Sequence, residues 1–296
     1  MLIRQDGTAL WVHAPAKLNL FLEVLGKRAD GFHELETLMV AISLHDTLSF
    51  TEEPTPAIRL HCHGRLGGAE AVPTGDDNLV VRAAKLLQQY SGTSRGVSIH
   101  LWKRIPMAAG LAGGSTDAAA ALVALDRLWE LGLAPEELLS LAAQLGSDVS
   151  FFVRRVPAAI CRGRGEKIQV VDRPLELSFV VARPASGLST AEVFRHCRVS
   201  SRPRSVRPLV ELLIDGRLKA ASRCLHNSLQ QTATQLNPEV TDLITRLDGQ
   251  PVVASAMTGS GTACFGLCGT HRLAGRVARG LRGSGVPWAM AVQARA

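Results

Sequence analysis

"PMAAGLAGGSTDAAAALVAL", residues 106–125, reads as a glycine-rich loop that runs straight into an alanine-rich helix. Gly110, Gly113 and Gly114 permit positive φ and let main-chain amides come close to a ligand. Ser115, Thr116 and Asp117 are all N-cap residue types. A helix is therefore expected from about Thr116 to Leu131, with Gly132 as its stop. Its first amides lack partners and carry the positive end of the macrodipole. Together with the glycines they make an anion site of the kind that holds phosphate. The plain alternative is a tight turn entering a buried helix. Three glycines followed by the small run Ala118–Ala121 go beyond what a turn needs, which favours the phosphate reading. The loop has no Gly-Lys-Ser/Thr of a Walker type, and its glycine spacing is wrong for a dinucleotide fingerprint.

The rest of the chain sets the limits around that loop. Its 296 residues suffice for one large domain or two ordinary ones, and 46% hydrophobic with 20% charged residues can fill a core. No long uncharged apolar run suggests a membrane span. The stretch "MLIRQDGTALWVHAPAK" has no apolar core of signal-peptide length, so a cytoplasmic enzyme or binding protein is expected. Six scattered cysteines without a CxxC pair read as reduced thiols. Cys264 and Cys268 would share a strand face, too far apart to bridge. His61 and His63 in "HCH" read as one face of a solvated strand rather than half of a zinc site. The net charge of +7 comes with 4% aromatic residues and no dense basic run, which argues against nucleic acid and is compatible with a small polyphosphate substrate. Lysine is scarce beside arginine, so Lys17 in the apolar "HAPAKLNLFLEVLG" stands out.

Periodicity gives a coarse map. "LWVHAPAKLNLFLEVLG" reads as a strand pair or one long bent strand with a break at Pro15. Asp30-Gly31 marks a turn, and "ELETLMVAISLHDTLSF" reads as two further strands. "AIRLHCHG" and "GVSIHLWKRI" are strands flanking an amphipathic helix in "DDNLVVRAAKLLQQYSG". "APEELLSLAAQLG" is a helix with Pro135 in its first turn. Later come a strand in "LELSFVVARP", a polar loop at 200–208, a helical stretch broken at Gly216, and strand–glycine loop–strand in "VVASAMTGSGTACFGLC". A helix in "HRLAGRVARGLR" and a last strand in "VPWAMAVQA" follow. Helices alternating with antiparallel-capable strands point to an α+β fold, its second half of split βαβ type. The domain boundary is placed at residues 164/165.

The loop at 106–122 resembles the central phosphate loop of the GHMP kinases, small-molecule kinases such as galactokinase, homoserine kinase and mevalonate kinase. "APAKLNLFLEV", 14–24, is similar to the first motif of that family, and "MTGSGTACFGL", 257–267, to its third. The motifs stand in family order and span nearly the whole chain. The resemblance implies a two-domain GHMP kinase fold, with an N-terminal domain like ribosomal protein S5 domain 2 and a C-terminal ferredoxin-like domain. Within the family, "PAKLNLFLEVLGKRADGFHELETL" and "LGSDVSFFV" resemble the branch whose acceptor is a cytidine diphosphate-linked methylerythritol, phosphorylated by ATP on its tertiary 2-hydroxyl. Phe32 departs from the tyrosine frequent there, and Ala108, Ala109 and Ala112 from glycines of some members. None of these changes removes a backbone amide.

On that resemblance, Pro106, Met107, Ala108, Ala109, Gly110, Leu111, Ala112, Gly113, Gly114, Ser115 and Thr116 hold the ATP phosphates. Lys17 and Asp148 are the catalytic pair, with Asp148 accepting the hydroxyl proton and Lys17 orienting it. From the residues alone, Asp148 would be the N-cap of a short helix at Val149–Val153 and Lys17 a strand-edge lysine. Phe32 and Phe194 offer stacking faces for the pyrimidine, His33 reads its edge, and Asn19 and Thr190 lie near the substrate. Gly259, Ser260 and Gly261 form a turn that backs the site. Mg²⁺ is expected with ATP, without an assigned protein ligand; Ser115 is the best candidate. The expected state is a monomer or weak homodimer. Another kinase of the family would use a different alcohol and have no need of Phe32 or His33. A non-catalytic sensor would be expected to lose Lys17 or Asp148, and this chain keeps both.

Overall fold

The computed structural model describes residues 1–64 and 72–294. The chain divides into two compact units, neither of them a single stretch of sequence. The first comprises Met1–Ala16, Leu44–Pro106 and Ala112–Val156; the second comprises Lys17–Ser43, Met107–Leu111 and Pro157–Ala296.

In the first unit β1 (Leu2–Asp6) pairs antiparallel with the start of β2 (Ala9–Lys27). The second half of β3 (His33–Glu53) pairs with β5 (Gly96–Trp102), which lies parallel to β4 (Ile58–His63). Four helices among the described residues complete the unit: α1 (Leu79–Ser91), α2 (Gly113–Leu128), α3 (Pro135–Leu145) and α4 (Val149–Val153). Helix α1 is stopped by Gly92 in the left-handed region, and its apolar face buries Val80, Ala83, Ala84 and Leu87. The alanine run of α2 is fully buried, so its small side chains let the helix pack closely. His61 and His63 share a face of β4 and stack on His100, with ring centroids 4.8 and 5.1 Å away.

The second unit holds an antiparallel sheet whose strand logic was legible. Its strands are β8 (Ser178–Arg183), β10 (Ala254–Met257), β11 (Cys264–Cys268) and β12 (Trp288–Gln293), in the order β10-β11-β8-β12. Helix α9 (Pro238–Asp248) precedes β10 and α10 (His271–Gly283) links β11 to β12, which gives the split βαβ arrangement. Val180 and Ala182 of the sheet meet Val240, Leu243 and Leu247 of α9 and Val277 and Leu281 of α10 in one core. The same unit contains the Lys17–Lys27 part of β2, the first half of β3, and the hairpin β6 (Ala158–Gly163) to β7 (Lys167–Val170), with β6 along β3. Helices α5 (Thr190–His196), α6 (Arg207–Ile214), α7 (Leu218–Ala221) and α8 (Gln230–Leu236) and the two-residue β9 (His226–Asn227) fill the middle of the chain. All six cysteines are free thiols.

Four expectations need correcting. Residues 33–53 form one strand, not two, and Pro15 lies inside β2 without breaking it. Proline's fixed φ falls within extended geometry, so it interrupts a strand only where its missing N–H is needed. The stretch 208–235 is broken in several places, not only at Gly216: after α6 and α7 a 3₁₀ turn at Ser222–Cys224 leads to β9 before α8 begins. Helix α2 starts three residues earlier than expected, which bears directly on the site.

Candidate active site

The glycine loop owes its shape to alternate residues in the left-handed region. Ala108 has φ 48°, Gly110 72° and Ala112 58°. Alternation of this kind turns successive amides toward one side and makes a concavity for an anion. Alanine adopts such a φ at a cost, and this chain accepts it twice. At Gly110 no other residue fits, because an added Cβ would lie 2.3 Å from the Thr258 carbonyl oxygen. That segment is further fixed within the second unit. Lys17 Nζ donates to the Gly110 carbonyl (2.8 Å), and the Ala263 amide donates to the Ala109 carbonyl (3.1 Å).

In the first unit, α2 begins at Gly113 with Ala112 as its N-cap and no capping side chain. Ser115, Thr116 and Asp117 are therefore inside the helix rather than at its cap. The physical reason is that glycines 113 and 114 enter helical geometry at once. The consequence is an N-terminus whose first amides are left without an internal partner, as an anion site needs.

Asp117 instead points into the core. Lys103 Nζ donates to Asp117 (2.8 Å) and also to Asp46, all three being buried. The Arg104 and Ile105 amides complete the shell of Asp46 at 2.5 and 2.9 Å. Burial raises the Asp117 carboxyl to about 8; Lys103 opposes that shift and neighbouring Asp46 adds to it. Unfolded, the carboxyl releases its proton near pH 4; folded, it does so near 8. The folded chain thus binds more protons between those values, and the group's contribution to stability falls as pH rises through that window. Asp117→Asn should flatten this dependence. Urea unfolding at pH 5.5 and pH 8 checks it, and an equal pH slope in both proteins would remove Asp117 as the cause.

The second unit brings together most of the remaining residues singled out in the sequence. Lys17 is 3% exposed, and its ammonium also donates to Asn19 Oδ1. Asn19 is held in turn: its amide donates to Thr258 Oγ1 (2.9 Å) and its side chain to Thr37 Oγ1 (2.8 Å). Asn227 donates to the carbonyls of Met257 and Gly259, fixing the turn through Gly259, Ser260 and Gly261. Ser260 and Thr190 share a hydrogen bond of 2.8 Å. Thr37, Thr258 and Asn227 were not singled out. Thr37 and Thr258 lie inside quoted motifs, whereas Asn227 is an isolated polar residue with no pattern around it.

At the far end of β2, Arg28 binds both Asp30 and Glu34 and closes the turn into β3. The Phe32 amide donates to Asp30 Oδ1, and its carbonyl accepts from the Arg28 amide. Phe32 is thereby presented at the turn with 49% of its surface exposed. His33 follows, its ring 5.2 Å from that of Phe194 on α5. Burial, and secondarily Lys27, lowers the His33 pKa, which favours the neutral ring. Asp148 lies in the first unit, directly before α4. It holds the N-cap position that the residues alone suggest, but its side chain makes no capping bond.

Comparison with known proteins shows the family. Residues 78–155 match the GHMP kinases N terminal domain, and residues 209–286 match GHMP kinases C terminal. A 4-diphosphocytidyl-2-C-methyl-D-erythritol kinase of Bacillus velezensis is 42% identical over 91% of this chain and 92% of its own. One from Pelotomaculum thermopropionicum is 41% identical over 90% and 91%. A solved 4-(cytidine 5'-diphospho)-2C-methyl-D-erythritol kinase superposes with a TM-score of 0.79 at 36% identity, covering 97% of this chain and all (100%) of that one. A homoserine kinase from Cytophaga hutchinsonii, at 16% identity and TM-score 0.70 over 99% and 96% of the chains, shares the fold. The chain belongs to the GHMP kinases and, within them, to the family of the 4-diphosphocytidyl-2-C-methyl-D-erythritol kinases.

Proposed function

We propose that this kinase transfers the γ-phosphoryl group of ATP to the 2-hydroxyl of 4-diphosphocytidyl-2-C-methyl-D-erythritol. The product is the 2-phosphate, an intermediate of the non-mevalonate route to isoprenoid precursors. The observation that carries the choice of acceptor is the β2–β3 turn, which holds exposed Phe32 by both its backbone groups and seats His33 beside Phe194. That is a stacking face next to an edge-reading ring, as a pyrimidine requires.

Phosphoryl transfer needs positioning and charge stabilisation more than covalent chemistry. The loop from Pro106 to Thr116 supplies main-chain amides, and the uncapped start of α2 supplies the field. Asp148 takes the proton of the attacking hydroxyl. A tertiary alcohol is a weak acid, so a base at that point lowers the barrier. Lys17, a buried cation fixed by Asn19 and Gly110, stabilises the charge that develops on the attacking oxygen. Asn19 orients the reacting end of the acceptor, and Thr190 lies near Phe194 at the pyrimidine end. Mg²⁺ would neutralise the phosphate oxygens. Half-buried Ser115 in the first turn of α2 is the protein oxygen placed to help hold it, with phosphates and water supplying most of the shell. No helix among the described residues is long and apolar enough to cross a membrane. We place the enzyme in the cytoplasm.

The test is ADP release with ATP and Mg²⁺ against separate acceptors: the cytidyl compound, mevalonate, homoserine and galactose. Turnover of the cytidyl compound alone supports the reading; turnover of another alcohol alone would sink it. Phe32→Ala is then expected to raise KM for the cytidyl acceptor about tenfold, from the loss of one stacked ring, while KM for ATP stays within about twofold. An equal rise in both would make Phe32 structural.

A further inference from the structure

The turn that joins β6 to β7 has no role in the mechanism above, yet it reaches the acceptor side of the site. Arg162 and Lys167 are paired across the two strands, and residues 164–166 form the turn after Gly163 ends β6. The Gly165 amide donates to the Arg162 carbonyl (3.1 Å) and the Arg164 amide to Glu166 Oε2 (2.6 Å), so the backbone of Arg164 is pinned. From there the Arg164 guanidinium lies over the ring of Phe32, its carbon 4.5 Å from the centroid. That is within the range of a cation–π contact, and a planar guanidinium can stack flat on an aromatic face. The charge of Arg164 also reaches Asp30, which helps to hold that carboxyl low after the larger effect of Arg28.

A half-exposed phenylalanine on a turn would otherwise be free to rotate about its side-chain bonds. With a guanidinium on one face, it can offer only the opposite face. We propose that Arg164 is a positioning residue for the acceptor: it fixes the plane of Phe32 and leaves that opposite face as the platform for a pyrimidine base. This rests on the cytidyl reading of the site and adds to it a residue acting through Phe32.

The experiment is a double-mutant cycle on the full chain: wild type, Arg164→Ala, Phe32→Ala and the pair, with both substrates varied. Arg164→Ala is expected to raise KM for the cytidyl acceptor about 3- to 10-fold, the range of a partly desolvated cation–π contact, with kcat and KM for ATP within about twofold. Arg164→Lys should recover part of the loss, because an ammonium can approach the ring without stacking on it. In the Phe32→Ala background, removing Arg164 should change nothing further. Calorimetry with cytidine 5'-diphosphate gives a reading independent of turnover, and its Kd should rise by the same factor in Arg164→Ala. Multiplicative losses in the double variant, or a fall in kcat with KM unchanged, would overturn the role of Arg164 while leaving the function intact. A wild-type enzyme that ignores the cytidyl acceptor would overturn the functional reading, and this inference with it.

Discussion

Replacing Asp148 by asparagine is expected to lower kcat by about 10²- to 10⁴-fold, the usual worth of a positioned general base. Asparagine keeps the size of the side chain and loses only its ability to take a proton. Asp148 makes no side-chain capping bond to α4, so the substitution removes no cap from that helix. KM for ATP should stay within about twofold, because the phosphates are held by the loop and the start of α2. Steady-state kinetics with both substrates varied checks this. Near-normal kcat would remove Asp148 from proton transfer.

Gly110→Ala should damage ATP binding more than any other single methyl in the loop. Its φ of 72° is costly for alanine, about 1 kcal/mol or more, and the new Cβ would lie 2.3 Å from the Thr258 carbonyl. Backbone on both sides of that clash cannot yield as a flexible side chain would. The loop must move, and the carbonyl that receives Lys17 moves with it. An increase in KM for ATP of at least about tenfold is expected, since displacement of roughly 1.4 kcal/mol is enough to produce it. Gly132→Ala is the matched control. Its φ of 65° is similar, but nothing lies within 4 Å of the added Cβ. It should cost stability and leave KM for ATP unchanged. Equal effects from both substitutions would mean that backbone strain, not the clash, governs the loop.

Local signals in the sequence were reliable where one short stretch decides the outcome. Pro135 and Gly146 bound α3 and Gly92 stops α1, because caps act within a few residues. The same signals were present and unused for α9, where Asn237 caps, Pro238 opens, and Val240, Leu243 and Leu247 keep helical spacing. The long strands were misread for a different reason. From Ala14 to Val24 every residue of β2 is buried, so the alternation that marks a strand disappears and its length cannot be counted. The onset of α2 was misplaced because Ser115, Thr116 and Asp117 have cap chemistry, while tertiary burial draws Asp117 to Lys103 instead. Lys17, Asn19, Gly110, Phe32 and His33 stand inside motifs and could be singled out from the sequence. Contacts between distant residues could not. Asn19 with Thr258, Lys103 with Asp46, and Arg164 with Phe32 depend on strand pairing that no single stretch encodes.

The composition of the two units also sets an order on synthesis. Every residue of the first unit has been synthesised once Val156 has been added. The second begins at Lys17 and finishes far later. Its Lys17–Ser43 segment carries Leu18, Leu20, Phe21, Leu22 and Val24, all buried in the finished fold. Yet the strand that pairs with Phe21 and Leu22 is His226–Asn227, and the residue that donates to Ser43 is Gln293. A growing chain can complete one unit at about its midpoint, while some of its most apolar strand residues wait for partners that are translated last.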